Sequence, residues 1–219
     1  ELTMGMIKIT NLSLDKNDPP YSFCTNCSTR LRSTVLSYFN ISTKSTNIIK
    51  IIFLGRRTRN RVIINENELF KSLQSYFTRL NNNSHKFQVE LHHFEHMPLK
   101  RQIEIMSECN ILISIHGSGL ANLIWMKHGS VVIEILPQSY SLDWYQRAST
   151  ATGIIYHSYH ADEIETIGGN PAYVKDCLKQ IRKVKTVKCN DVLRDRNITL
   201  NVDAFLGDLS DFLKSQKIL

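Results

Sequence analysis

The groups in this chain whose types and spacing can do chemistry are two arginines, a histidine–glycine turn and one carboxylate. Arg57 and Arg61 follow the apolar run Ile48–Leu54. A guanidinium at the end of a strand can clamp a diphosphate through paired N–H donors, although loop arginines are as a rule simply solvated. Farther on, residues 110–137 read NILISIHGSGLANLIWMKHGSVVIEILP. An apolar run (Ile111–Ile115) ends in His116-Gly117-Ser118-Gly119, a helical segment follows, and a second apolar run (Val131–Leu136) carries Glu134. This is the pattern of buried strand, glycine turn, helix, buried strand. In a parallel sheet the turn and the end of the second strand meet at one edge, where α/β proteins hold phosphates and riboses. The helix N-terminus after Gly119 adds unpaired N–H groups and a positive dipole end.

Three chemistries compete for the Gly117-Ser118-Gly119 turn. A nucleophile elbow needs G-x-S-x-G, but His116 and Leu120 stand at the two glycine positions, so a Ser118 hydrolase is excluded. A dinucleotide fingerprint needs G-x-G-x-x-G, and here Asn122 replaces the third glycine. In a sugar-nucleotide site the glycines let the backbone approach the donor, and Glu134 takes the ribose hydroxyls. Spacing alone equally allows the glycines merely to turn the chain and Glu134 to be capped locally. On position alone, His116 is more often structural than catalytic. The cluster of His92, His93 and His96 with Glu95 lacks a fixed metal-ligand spacing and reads as surface.

The elements that position these groups alternate. Helical spacing of apolar residues predicts helices at Thr29–Phe39, Leu69–Leu80, Leu99–Glu108, Trp144–Thr152, Ala172–Lys185 and Val202–Lys214. Asn65-Glu66-x-Glu68 opens the second of these with acidic residues suited to the helix dipole. Short β-branched or alternating runs predict strands at Ile48–Leu54, Phe87–Leu91, Ile111–Ile115, Val131–Leu136, Ile154–Tyr159 and Ile198–Leu200. Such alternation implies an α/β fold with a parallel sheet covered on both faces. Residues 1–27 read as irregular around Asp18-Pro19-Pro20, and the natural division falls between residues 1–45 and 46–219.

Composition narrows the class of protein. A chain of 219 residues with 42% hydrophobic and 21% charged residues can bury a proper core. The net charge of +7 favours anionic ligands. The basic residues are dispersed apart from Arg56–Arg61 and Arg182–Lys188, which argues against a nucleic-acid face. No apolar run reaches the roughly 18 residues that span a bilayer. The chain opens at Glu1 without an initiator Met, which reads as a piece whose N-terminus lies upstream. Five sequons, at Asn11, Asn26, Asn40, Asn82 and Asn197, lean towards a secretory lumen. Five cysteines allow two disulfides with one thiol left over, and Cys24-x-x-Cys27 has no second pair at metal spacing.

Taken together, Arg57-x-x-x-Arg61-x-Ile63-x-Asn65-Glu66-x-Glu68-Leu69 and His116-Gly117-Ser118-Gly119-Leu120-x-Asn122 resemble glycosyltransferase family 61. Its members include plant xylan arabinosyl- and xylosyltransferases and animal O-linked N-acetylglucosaminyltransferases. The family's H-G-A-G-L-T-N stands here as H-G-S-G-L-A-N. Gly129–Ile135, Leu142–Tyr145 and Asn197–Asp203 also match, so the likeness spans about Ile48 to Leu213. Two departures stand out: Ser118 replaces alanine, and Lys127-His128-Gly129 replaces a proline-rich turn.

The resemblance implies a Rossmann-like domain, the donor-binding half of a GT-B enzyme. Such an enzyme inverts at the anomeric carbon and transfers a pentose or N-acetylglucosamine-type sugar, UDP-linked, to a polysaccharide or glycoprotein. It implies donor contacts from Arg57, Arg61, Gly117, Ser118, Gly119, Asn122 and Glu134, with His116 as the catalytic candidate. No cofactor is required beyond the nucleotide sugar, and a divalent metal is not excluded. A further N-terminal domain, an anchor absent from this segment, a type II membrane topology and a Golgi or endoplasmic reticulum lumen complete the expectation. Two other readings stay open: a non-catalytic nucleotide- or carbohydrate-binding module, and a dinucleotide-dependent oxidoreductase.

Overall fold

In a sheet buried on both faces, strands need apolar side chains on both sides, and three runs in this chain supply them. The computed structural model describes residues 25–43, 47–58, 60–82, 85–161 and 187–219. The expected helix at 172–185, the proline loop at 18–20 and Cys24 and Cys177 lie outside these residues. Five strands, β1 (Ile48–Gly55), β2 (Lys86–His93), β3 (Ile111–Ile115), β4 (Val131–Leu136) and β5 (Ile155–His160), form one sheet in the order β2-β1-β3-β4-β5. Every pairing is parallel, as the alternation of elements predicts. The central strands β3 and β4 are buried along their whole length.

Alternate residues divide between two cores. Ile51, Phe53, Ile111, Ile113, Val131 and Ile133 pack towards α2 (Glu66–Arg79) and the C-terminal helix Val202–Ser215, which bury Leu69, Leu73, Phe77, Phe205 and Leu209. Ile52, Leu54, Leu112 and Val132 face the opposite layer. That layer is built from α1 (Thr25–Tyr38), α3 (Leu99–Ser107), a 3-10 helix (Ser118–Trp125) and α4 (Trp144–Thr152). Within the stretch 1–45, α1 belongs to this layer: Arg32 donates to the carbonyls of Trp125 and Ser107, and Leu36 joins the core.

The helical segment after the glycine turn is 3-10 rather than α. Leu120 and Leu123 are buried three residues apart, a spacing that stays on one side of a helix with three residues per turn. The expected strand at Ile198–Leu200 reduces to a single bridge between Ile63 and Ile198. Asn65 explains how that segment is held. Its amide accepts from the Leu200 N–H and donates to the Leu200 carbonyl and to Glu68, in place of capping α2. Ahead of the bridge, α5 (Val187–Arg194) leads into Arg196, a guanidinium only 1% exposed that donates to the carbonyls of Leu193 and Gln138. Numbered in the same way, the C-terminal helix is α6. No helix among the described residues is long and apolar enough to cross a membrane.

Candidate functional site

In the order β2-β1-β3-β4-β5 the chain runs outward from β1 in both directions, so a crevice opens between the ends of β1 and β3. Open parallel sheets bind ligands at this switch point. A cavity of about 270 Å³ lies there, lined by the ends of both strands, the glycine turn, Arg56, Thr58, Glu95, Gln102 and Asn122.

Arg56 is the cation of this cavity. Its guanidinium lies so close to Gly117 that a Cβ at that position would collide with Nη1. A Cβ at Gly119 would come within 2.8 Å of Leu54 Cδ2, so the turn closes tightly on the end of β1. Among the described residues, the hydrogen bonds of Arg56 are long ones, of 3.2 and 3.3 Å, to Thr58 Oγ1. Burial, and then the neighbouring Arg61 charge, lowers its pKa, against the opposing pull of Glu95, Tyr145 and Asp195. A guanidinium stays charged through such a shift, so the crevice keeps concentrated positive charge with few internal partners. The N–H groups of Ser118 and Gly119, at the start of the 3-10 helix, precede any intrahelical carbonyl partner, whereas that of Leu120 donates to the Gly117 carbonyl at 3.0 Å.

Beside the cavity lies a closed polar network. Glu134 is fully buried and His116 only 4% exposed. The carboxylate Oε1 accepts from His116 Nδ1–H at 2.5 Å, and Oε2 accepts from the Tyr156 hydroxyl at 2.5 Å. Since an ionised carboxylate only accepts, Nδ1 is the donor in this pair, and the other ring nitrogen, Nε2, shares a hydrogen bond of 3.2 Å with the Tyr140 hydroxyl. Tyr140 and Tyr145 present edge-to-face contacts to the imidazole, with centroids 4.9 and 5.4 Å away. Burial, followed by the Glu134 charge, raises the Tyr156 phenol well above its ordinary range. The same two causes push Tyr145 up to about 12, partly offset by Arg61 and Arg56.

The expected site residues therefore separate. Gly117, Ser118, Gly119 and Asn122 line the cavity. Asn122 donates to the Gly119 carbonyl and to Gln102, tying the turn to α3. Arg57, expected at a diphosphate, lies exposed outside the cavity, with its N–H donated to Glu95 Oε1. Successive residues of an extended backbone point to opposite sides, so the arginine one place earlier turns inward. Arg61 adopts a left-handed conformation (φ 61°) and pairs with Asp195 at 3.5 Å. It does not line the cavity, although its charge is felt by Arg56. Glu134, expected on a ribose, has both oxygens engaged inside the protein, and His116 has both ring nitrogens engaged.

Sequence reasoning passed over Arg56 and underrated Glu95. The signal for Arg56 was its place directly after Gly55 at the strand end; for Glu95 no local pattern pointed inward. His92 and His93 pair with Glu90 and Glu66, and no cluster of three metal-ligating side chains occurs among the described residues. Of the cysteines, Cys109 is a buried thiol and Cys189 is disulfide-bonded. The Asn197 sequon is partly buried, with its side-chain oxygen accepting from the Val62 N–H, whereas Asn40 stands exposed after α1.

Comparison with known proteins identifies the family of this chain. The family model described as Glycosyltransferase 61 matches residues 6–133. That is more than half of the 219 residues, and the chain belongs to the glycosyltransferase 61 family. The match ends one residue before Glu134, and the likenesses at 142–145 and 197–203 lie beyond it. The EGF domain-specific O-linked N-acetylglucosamine transferase of Drosophila melanogaster is 31% identical over 87 residues, covering 40% of this chain and 15% of that protein. The human protein O-linked-mannose beta-1,4-N-acetylglucosaminyltransferase 2 is 29% identical over 94 residues, covering 43% of this chain and 15% of that protein. The matched segment is thus a small part of each relative's length. Among solved structures, a glycosyl transferase family 9 protein of Veillonella parvula aligns over 73% of this chain and 45% of that one, at 13% identity and a TM-score of 0.35.

Proposed function

We propose that this chain is the donor-binding part of an inverting glycosyltransferase of the GT-B type, taking a sugar from a UDP-linked donor to a glycoprotein or polysaccharide hydroxyl. The observation that carries the reading is Arg56 folded over the Gly117 turn at the β1/β3 switch point. Family membership and the two relatives, named as N-acetylglucosaminyl transferases, support the same class of reaction.

In this reading Arg56, with the Arg61 charge near it, and the N–H groups at the start of the 3-10 helix hold the diphosphate. As the acceptor hydroxyl attacks the anomeric carbon, the bond from that carbon to the phosphate oxygen breaks. The charge then growing on the leaving nucleoside diphosphate meets preset positive groups. Gly117, Ser118 and Gly119 give the backbone its close approach, and Asn122 fixes the turn. His116 and Glu134 act as positioning residues that hold the turn against β4. The base that takes the acceptor proton belongs to an opposing domain. The charge stabilisation needs no metal ion, and a divalent cation remains compatible with it. A cavity of 270 Å³ is at or below the lower end of small-ligand sites, which run from about 300 Å³ upward. It suits half of a cleft, so the segment alone binds donor without transferring it. A secretory compartment and an anchor outside this segment belong to the same proposal.

Calorimetry of the chain with UDP and with NAD tests the reading. Binding of UDP, and of a UDP-sugar, with NAD at least tenfold weaker is the expected result. Equal or stronger NAD binding would favour the oxidoreductase reading instead.

A further inference from the structure

Glu95 lies near the start of the connection from β2 to α3 and lines the cavity together with the glycine turn. Its two carboxylate oxygens have different fates. Oε1 accepts the Arg57 N–H at 3.0 Å, which fixes the side chain against the β1–α2 loop. Oε2 is buried and has no hydrogen-bond partner among the described residues. Leaving a buried acceptor unmade costs on the order of 1–3 kcal/mol, more when it is charged. Arg56 lies near enough to feel the Glu95 charge, yet its own hydrogen bonds go to Thr58. The carboxylate is therefore anchored at one end, desolvated at the other, and placed next to the cation of the cavity.

An anionic diphosphate cannot supply the missing donor; it would be repelled. A hydroxyl can, and a nucleotide sugar carries hydroxyls on the ribose and on the transferred sugar. With Glu134 occupied by His116 and Tyr156, Glu95 is the carboxylate that faces this cavity. We infer that Glu95 forms a hydroxyl-binding subsite, in which Oε2 accepts a hydrogen bond from a ribose or donor-sugar hydroxyl while Arg56 holds the adjoining phosphates. This rests on the reading of the crevice as a nucleotide-sugar site. It gives the crevice a selectivity that Arg56 alone lacks, because a guanidinium binds any diphosphate whereas a carboxylate beside it admits only one that brings a hydroxyl donor.

The test compares the full chain with Glu95→Gln, which keeps an oxygen for the Arg57 N–H but removes the charge. Calorimetry with inorganic pyrophosphate, UDP and UDP-N-acetylglucosamine separates the ligand groups. The expected result is that Glu95→Gln weakens a hydroxyl-bearing ligand about tenfold and leaves pyrophosphate binding unchanged or tighter. A loss already present with UDP assigns the ribose; a loss appearing only with the nucleotide sugar assigns the transferred sugar. An equal fall for all three ligands, or no fall for either hydroxyl-bearing one, overturns the subsite and leaves the site reading standing. Should the unsubstituted chain bind none of the three, the site reading itself fails and the subsite with it.

Discussion

Two polar clusters lie side by side at the edge of one sheet, and they have opposite characters. Around Glu134 both carboxylate oxygens and both nitrogens of His116 are engaged with partners from neighbouring elements. Around Arg56 the polar groups are underused: among the described residues Arg56 makes long bonds to Thr58, and one Glu95 oxygen is buried without a hydrogen-bond partner. A buried polar network whose members are all satisfied fixes structure, whereas unspent donors and acceptors in a crevice are what a ligand can use. Within the motif, His116 thus builds the frame with Glu134, whereas the glycine turn and Asn122 line the opening together with Arg56 and Glu95.

Removing the centre of the closed cluster should have the largest effect. Glu134→Ala strands the His116 Nδ1–H and the Tyr156 hydroxyl in the core and is expected to cost about 3 kcal/mol of stability, read from the denaturant midpoint. Tyr156→Phe removes one arm only and should cost about 1–2 kcal/mol in the same measurement. If either variant kept full stability but lost UDP affinity, Glu134 would belong with the ligand groups and the contrast between the clusters would dissolve.

In the open cluster the pattern should reverse. Arg56→Ala is expected to weaken UDP binding at least tenfold by calorimetry while changing stability by less than about 0.5 kcal/mol, since Arg56 has few internal partners and a like-charged neighbour. Arg57→Ala, at an exposed position, should change affinity less than twofold. Equal losses for the two arginines would remove the distinction between inward and outward side chains on this loop.

The smallest effect is a pH dependence. Tyr145 has its folded pKa raised from 10.0 to about 12, so the unfolded chain releases that proton first. Its contribution to stability is complete below pH 10 and lost as pH rises towards about 12. Denaturation midpoints of Tyr145→Phe should therefore fall less steeply across that window than those of the parent. Parallel slopes would mean that Tyr145 is not held between the two clusters.

Much of the scaffold was legible from residue order. The β-branched runs at 48–54, 111–115 and 131–136 mark buried parallel strands because such side chains suit a sheet covered on both faces. Apolar spacing located α2, α3, α4 and the C-terminal helix to within a few residues of their ends. The three-residue spacing of Leu120 and Leu123 fits the 3-10 character of Ser118–Trp125, although an α-helix accommodates that pair as well. The glycine turn was visible as a turn, and its place at the sheet edge followed from the strand before it.

What the sequence by itself determined is the periodic part of this protein: which runs are strands, which are helices, and that a glycine turn closes the third strand. Side-chain partnership across elements was decided only by the fold. Glu134 meets Tyr156 because β4 and β5 lie side by side, and Glu95 meets the Arg57 N–H because β2 pairs with β1. Those neighbours are 22 and 38 residues apart in the chain. Local spacing carries no information about contacts at that separation, and it is they that determine whether a carboxylate is spent inside the protein or left facing a ligand.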